Sequence, residues 1–182
     1  MALMLPRTIR LDASDTFVYA RPAEPGEWAV TGTFLFFGSD PGALEGKARQ
    51  AFRGGFLGVD SFGWSTLVVV AEASAEDFEA AVETLARQLV ARCGAPDLTA
   101  ARPAAREEIE FARSLCDHPA GTLLGLHRIV DAAAIRETFR TLHRRADRLQ
   151  PIGAFQLIEV EEEEEVLGEE VDLVALARTA RP

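Results

Sequence analysis

The residues best equipped for chemistry sit together as Cys116-Asp117-His118, with His127 following on the adjacent predicted strand. Thiolate and imidazole together are zinc donors, so three ligands could converge here. The spacing does not support that: metal sites are usually written as tight pairs such as HExxH or CxxC. Cys116 also falls on the apolar side of a predicted helix, and His118-Pro119 suits the turn that ends it. The expectation is therefore no bound metal and no cofactor. His118 would stabilise a helix C-terminus through the macrodipole, and Asp117 would bond to the turn backbone. The competing expectation is a small metal-assisted or thiol-dependent enzyme in which Cys116 or Cys93 is activated by a histidine.

Other motifs are incomplete. Gly42, Gly46 and Lys47 suggest a phosphate loop, but one residue is missing between the glycines and no Ser or Thr follows the lysine to hold magnesium. No GxSxG string exists, so a serine nucleophile on a strained elbow has no support. Gly54, Gly55 and Gly58 could serve a tight turn or a close approach to a ligand or another backbone. The candidate pocket is thus Cys116, Asp117, His118, His127, Gly54 and Gly55, and an enzyme would need these residues in one concavity.

The elements that must position them follow from periodicity. Arg7–Leu11, Thr16–Tyr19, Glu27–Phe37, Trp64–Ala71 and Gly121–Val130 read as strands, rich in β-branched and aromatic residues between turn formers. Leu44–Phe52 reads as a short helix. Ser74 with Asp77 writes a capping box, ahead of a helix whose Phe78, Val82, Leu85 and Leu89 form one apolar stripe that Gly94 and Pro96 end. A further helix is expected over Thr99–Cys116, with Pro103 near its first turn. A last one is capped by Asp131 and carries Ile135, Phe139, Leu142, Ala146 and Leu149. Ala154–Val160 would add an edge strand. This order implies an α+β fold: a two-layer sandwich with a mainly antiparallel or mixed sheet and helices on one face. Residues 1–150 would form the domain and 151–182 an acidic C-terminal segment.

Charge narrows the partners. The chain carries 19 Lys and Arg against 29 Asp and Glu. Nine of those acids lie in 151–182, opposed only by Arg178 and Arg181, so the body is close to neutral. Without clustered cations, neither nucleic acid nor an anionic membrane is the expected partner. No apolar run approaches the roughly 20 residues of a membrane span, and Met1–Leu5 is too short for an export signal, which gives a cytoplasmic expectation. Two cysteines, neither in a CxxC pair, give no disulfide framework. Unbroken apolarity over Phe34–Phe37 leaves side chains needing a second cover, for which a homodimer is expected. In the tail, Glu161–Glu165 would bridge through solvent near Arg140, Arg144 and Arg145. Val171–Ala177 would dock on its own domain or a neighbouring subunit.

The strings from Thr8 to Asp12, Pro25 to Trp28, Gly55 to Gly58, Gly63 to Thr66 and Leu115 to Pro119 resemble an uncharacterised family of small alphaproteobacterial proteins over roughly Pro6 to Leu142. The resemblance implies a common fold and no assigned reaction, and the acidic tail departs from it. Family members look as though they travel with accessory genes of redox enzymes. Function is therefore expected to be a non-enzymatic accessory, assembly or small-ligand-binding role, with the small enzyme and an oligomeric scaffold as alternatives.

Overall fold

The computed structural model describes residues 2–143 and 159–164. The chain opens with β1 (Leu3–Ile9), α1 (Ser14–Val18) and the short β2 (Ala29–Val30), then α2 (Gly46–Gly54), β3 (Phe56–Gly58), β4 (Trp64–Ser65) and β5 (Leu67–Ala73). The helices α3 (Ala75–Arg92) and α4 (Leu98–Ser114) follow, then β6 (Leu123–Asp131), β7 (Ala134–His143) and β8 (Glu159–Glu164). One sheet has the order β1-β5-β6-β7-β8 and the other β2-β3-β4; every paired neighbour is antiparallel. The fold is α+β, and a bridge between Arg7 and Trp28 links the two sheets.

Alternation in the strands divides the core. Val68, Val70, Leu124, Leu126 and Phe139 share one buried cluster with Phe56, Ala29, Leu115 and Cys116. Val30 and Leu57, one residue along from Ala29 and Phe56, turn the other way and join Leu5 against α3 and α4. The small sheet thus contributes to both clusters. In α3 the capping box forms in both directions, and Phe78, Val82, Leu85 and Leu89 are buried. Asp97 caps α4, with Pro103 inside it.

Three expected elements are different. Thr16–Tyr19 is not a strand: the Asp12 side chain accepts from the Ser14 amide at 2.7 Å and starts the one-turn α1. The long strand over Glu27–Phe37 stops at Val30, because Gly32 takes φ 76° and the chain enters a 3-10 turn, Thr33–Phe36. A side chain at Gly32 would meet Leu57 Cβ at 2.7 Å and Trp64 Cζ3 at 2.9 Å, so only glycine allows this close turn. The helix expected after Asp131 is instead β7, hairpinned to β6 through Ala132 and Ala133, both with positive φ.

In the tail, Glu161–Glu164 of the glutamate run belong to β8, antiparallel to β7, with Arg140 opposite Glu163 in register, and Glu165 lies outside the described residues. Of the expected edge strand over Ala154–Val160, only residues 159 and 160 are described, and both belong to β8. Arg144, Arg145, Ala146, Leu149 and Val171–Ala177 lie outside the described residues.

Candidate functional site

The residues singled out in sequence separate into different places. Cys116 is 3% exposed in the sheet cluster, its Sγ lies 3.5 Å from the Ala112 carbonyl, and burial pushes its thiol up to about 12. It is neither a thiolate nor an accessible ligand at neutral pH. Asp117 and His118 line a recess of about 180 Å³ with Ser114, Leu124, Phe139 and Thr141. His127 and Gly54 belong to another, larger cleft. Gly55 is buried under Trp64, whose Cε3 would lie 2.8 Å from a Cβ there. Among the described residues, no group of three His, Cys, Asp or Glu could hold a metal ion.

The larger cleft, of about 660 Å³, forms where two strands part company. β5 pairs with β6 only as far as Leu67 opposite Gly125, whereas β6 runs on to Asp131. The vacated edge of β6 is met by the end of α2: a Cβ on Gly54 would stand 3.3 Å from the Leu126 carbonyl. Leu67, Gly125, His127, Arg140 and Leu142 line the floor from the sheet face opposite the Val68 and Leu124 cluster, while Gln50 and Arg53 of α2 and Val18 of α1 form the wall. Gly125 deepens the floor, since a side chain there would meet only Leu67 Cδ2, at 3.7 Å.

Among the described side chains, the charged residues lining this cleft are Arg53 and Arg140, with the imidazole of His127 beside them, and Glu163 of β8 stands opposite Arg140 in register. Lys47 and Arg49, on the same helix as Arg53, are also exposed. Arg53 on the wall favours an anionic group, and Leu67 and Leu142 on the floor favour apolar surface beside it.

Two networks hold the cleft in shape. Asp15, 7% exposed, accepts from the Thr66 hydroxyl at 2.6 Å and the Thr66 amide at 3.2 Å. The Thr66 oxygen is thereby left to accept from the Tyr19 hydroxyl at 2.9 Å. Burial raises the Tyr19 phenol above its ordinary value, which keeps that proton in place. This set ties α1 to the break between β4 and β5.

The second network is sealed. Arg128 has no exposed side-chain surface and lies opposite Glu137 across the hairpin. Its Nε donates to Glu137 at 3.0 Å and to the Thr33 hydroxyl at 2.8 Å, while Thr33 donates to Glu137. Its Nη1 donates to the carbonyls of Ala51, Phe52 and Gly55 at 3.3, 3.0 and 3.0 Å, and its Nη2 to Thr31. A guanidinium thus satisfies the C-terminal carbonyls of α2 and meets the negative end of its dipole. Burial pulls the Arg128 guanidinium below its ordinary value, and the Glu137 charge opposes that.

A third buried acid, Glu27, accepts from the Ser61 amide at 3.1 Å and hydroxyl at 2.6 Å. Burial raises its carboxyl above the usual range, against those two bonds. It fills the space over Gly58, where a Cβ would fall 1.4 Å from Glu27 Oε1.

Sequence reasoning missed Arg53, Tyr19 and Thr66 as site residues and placed Arg140 on a helix. The available signal was period two in β7: Ile135, Glu137, Phe139 and Thr141 are buried, whereas Arg136 and Arg140 are exposed. A family of unknown function (DUF6505) matches residues 2–159, and the chain belongs to that family. Neither curated proteins nor solved structures provide a match.

Proposed function

We propose that the chain is a non-enzymatic binding protein, acting in an accessory or assembly role, whose ligand is an anionic group attached to apolar surface. The observation that carries this reading is the exposed Arg53 standing over one open cleft whose floor carries His127 beside Leu67 and Leu142. The buried Cys116 thiol and its separation from His127 weigh against thiol chemistry, and the small recess beside Asp117 and His118 has little room for a substrate. A homodimer remains part of the proposal, because Phe17, on α1, is 74% exposed and Leu11 56%.

The test uses 1-anilinonaphthalene-8-sulfonate, a sulfonate on apolar rings, titrated into the full chain with sedimentation run alongside. Saturable binding of one dye per chain is expected, weakening as salt rises. Arg53→Glu should reduce affinity about tenfold, the loss of roughly 1.4 kcal/mol. Gly125→Leu should abolish it by filling the floor. Binding unchanged in both variants, with native melting curves, would overturn the proposal.

A further inference from the structure

We infer that the cleft is one end of a longer trough, and that its ligand is a straight-chain mono-acid, an alkyl chain carrying one terminal carboxylate; this rests on the binding reading above. Sheet register carries the extension. Ile9 of β1 lies opposite Leu67 of β5, Leu67 opposite Gly125 of β6, and Gly125 opposite Arg140 of β7. Directly opposed residues share a face, so these four form one row across the sheet, about 14 Å long at the ordinary strand spacing. The cleft covers the β6 and β7 end of that row. A recess of about 110 Å³ covers the other end; Ile9 and Leu11 line it, and it shares Ser14, Thr66 and Leu67 with the cleft. Gly125, without a side chain, keeps the middle of the row low.

The two ends differ in charge. Arg140 already stands opposite Glu163, so the cation offered to a ligand at the cleft end is Arg53, exposed on the last turn of α2. At the recess end the ionisable lining residues are both acids, Asp12 and Asp15. Asp12 accepts from the Ser14 amide and Asp15 from the Thr66 hydroxyl, which fixes both carboxylates in place. Between the charged ends, Val18, Leu67 and Ile9 supply apolar surface, with Leu11 at the far rim. A carboxylate is drawn to Arg53 and its chain lies along the row towards Leu11. A second acid at the far end of that chain would meet Asp12 and Asp15, and like charges so placed reject it. The polarity of the trough therefore selects a mono-acid over a diacid, and the length of the row sets how much of the chain is covered.

Isothermal titration calorimetry of the full chain with hexanoate, octanoate and decanoate reads the row directly. Affinity should rise about twofold per added methylene, since full burial of one gives roughly fourfold and an open trough covers about half of it. Arg53→Glu should weaken all three acids about tenfold. Leu11→Glu, at an exposed position in the recess, should weaken decanoate at least fivefold and leave hexanoate unchanged. Decanedioate should bind at least tenfold more weakly than decanoate. Asp12→Asn, which keeps an acceptor for the Ser14 amide, should narrow that gap at least threefold. Absence of decanoate binding, an affinity flat across the three acids, equal losses for hexanoate and decanoate in Leu11→Glu, or decanedioate binding as tightly as decanoate would each overturn the inference. The two readings fail separately. Dye binding that depends on Arg53, beside carboxylates whose affinity ignores chain length, sinks only the trough. Decyltrimethylammonium binding as tightly as decanoate, with neither touched by Arg53→Glu, sinks the anionic reading and this one with it.

Discussion

Arg128 and Arg53 stand at the same end of α2 and have opposite fates. Arg128 is shut away, and each of its three nitrogens has an acceptor in the protein. Arg53, on the last turn of the helix, is exposed and faces the cleft. One guanidinium supplies structure, closing the helix and clamping the 3-10 turn to the hairpin; the other supplies an available charge. The comparison teaches that residue type does not separate scaffold from surface here. What separates them is which side of β6 each approaches: Arg128 from the face buried with Glu137, Arg53 from the face shared with His127.

The largest expected effect breaks the sealed side. Arg128→Met should cost about 3–5 kcal/mol in urea melts, because Glu137 and the α2 carbonyls lose their buried partner. Adding Glu137→Leu should recover part of that loss, since the stranded charge goes with it. A cost below about 1 kcal/mol would mean that this junction does not hold α2.

A smaller effect is expected at Glu27, which lies between the two extremes as a half-satisfied buried acid. Its folded pKa is raised, so the fold favours the protonated form. Below the unfolded value both states are protonated and nothing is lost. As pH rises through the unfolded and then the raised folded value, ionisation destabilises the native state. Wild type should therefore lose stability relative to Glu27→Gln between about pH 4 and the raised value, and stay level above it. A stability difference that does not change from pH 4 to 8 would contradict this.

The smallest effect sharpens the open side. Arg53→Met should stay within about 0.5 kcal/mol of wild type in the same melts while weakening dye binding. A larger stability loss would make Arg53 a scaffold residue like Arg128 and dissolve the contrast.

Elements whose signals are local were legible in sequence. The stripe of α3 and its Ser74 cap needed no distant contact to form, and α4 and β6 are read within a few residues of their ends. Elements decided by long-range contacts were not. Phe34 to Phe36 looks like strand, but the turn at Gly32 packs against Leu57 and Trp64, far along the chain. In β7, Asp131 followed by three alanines suggests a helix start, and no Asn-Gly or Asp-Gly turn announces the hairpin. The cleft was half visible, through His127 and Gly54, because its remaining walls come from α1, α2 and β7. The strings behind the family resemblance record packing: Glu27 fits over Gly58, and Thr66 meets Asp15.

The Ala132-Ala133 turn has a kinetic consequence. Both residues hold left-handed backbone, φ 47° and 66°, which an isolated alanine avoids by about 1–2 kcal/mol. Such a link does little to nucleate β6 against β7 in the unfolded chain, so the hairpin tip is imposed by strands already paired elsewhere. Ala133→Gly should relieve about 1 kcal/mol. If the tip closes after the rate-limiting step, that gain appears as unfolding slowed about fivefold with folding unchanged. Stopped-flow chevrons read the partition directly, and a gain appearing wholly in the folding arm would instead place this turn in the nucleus.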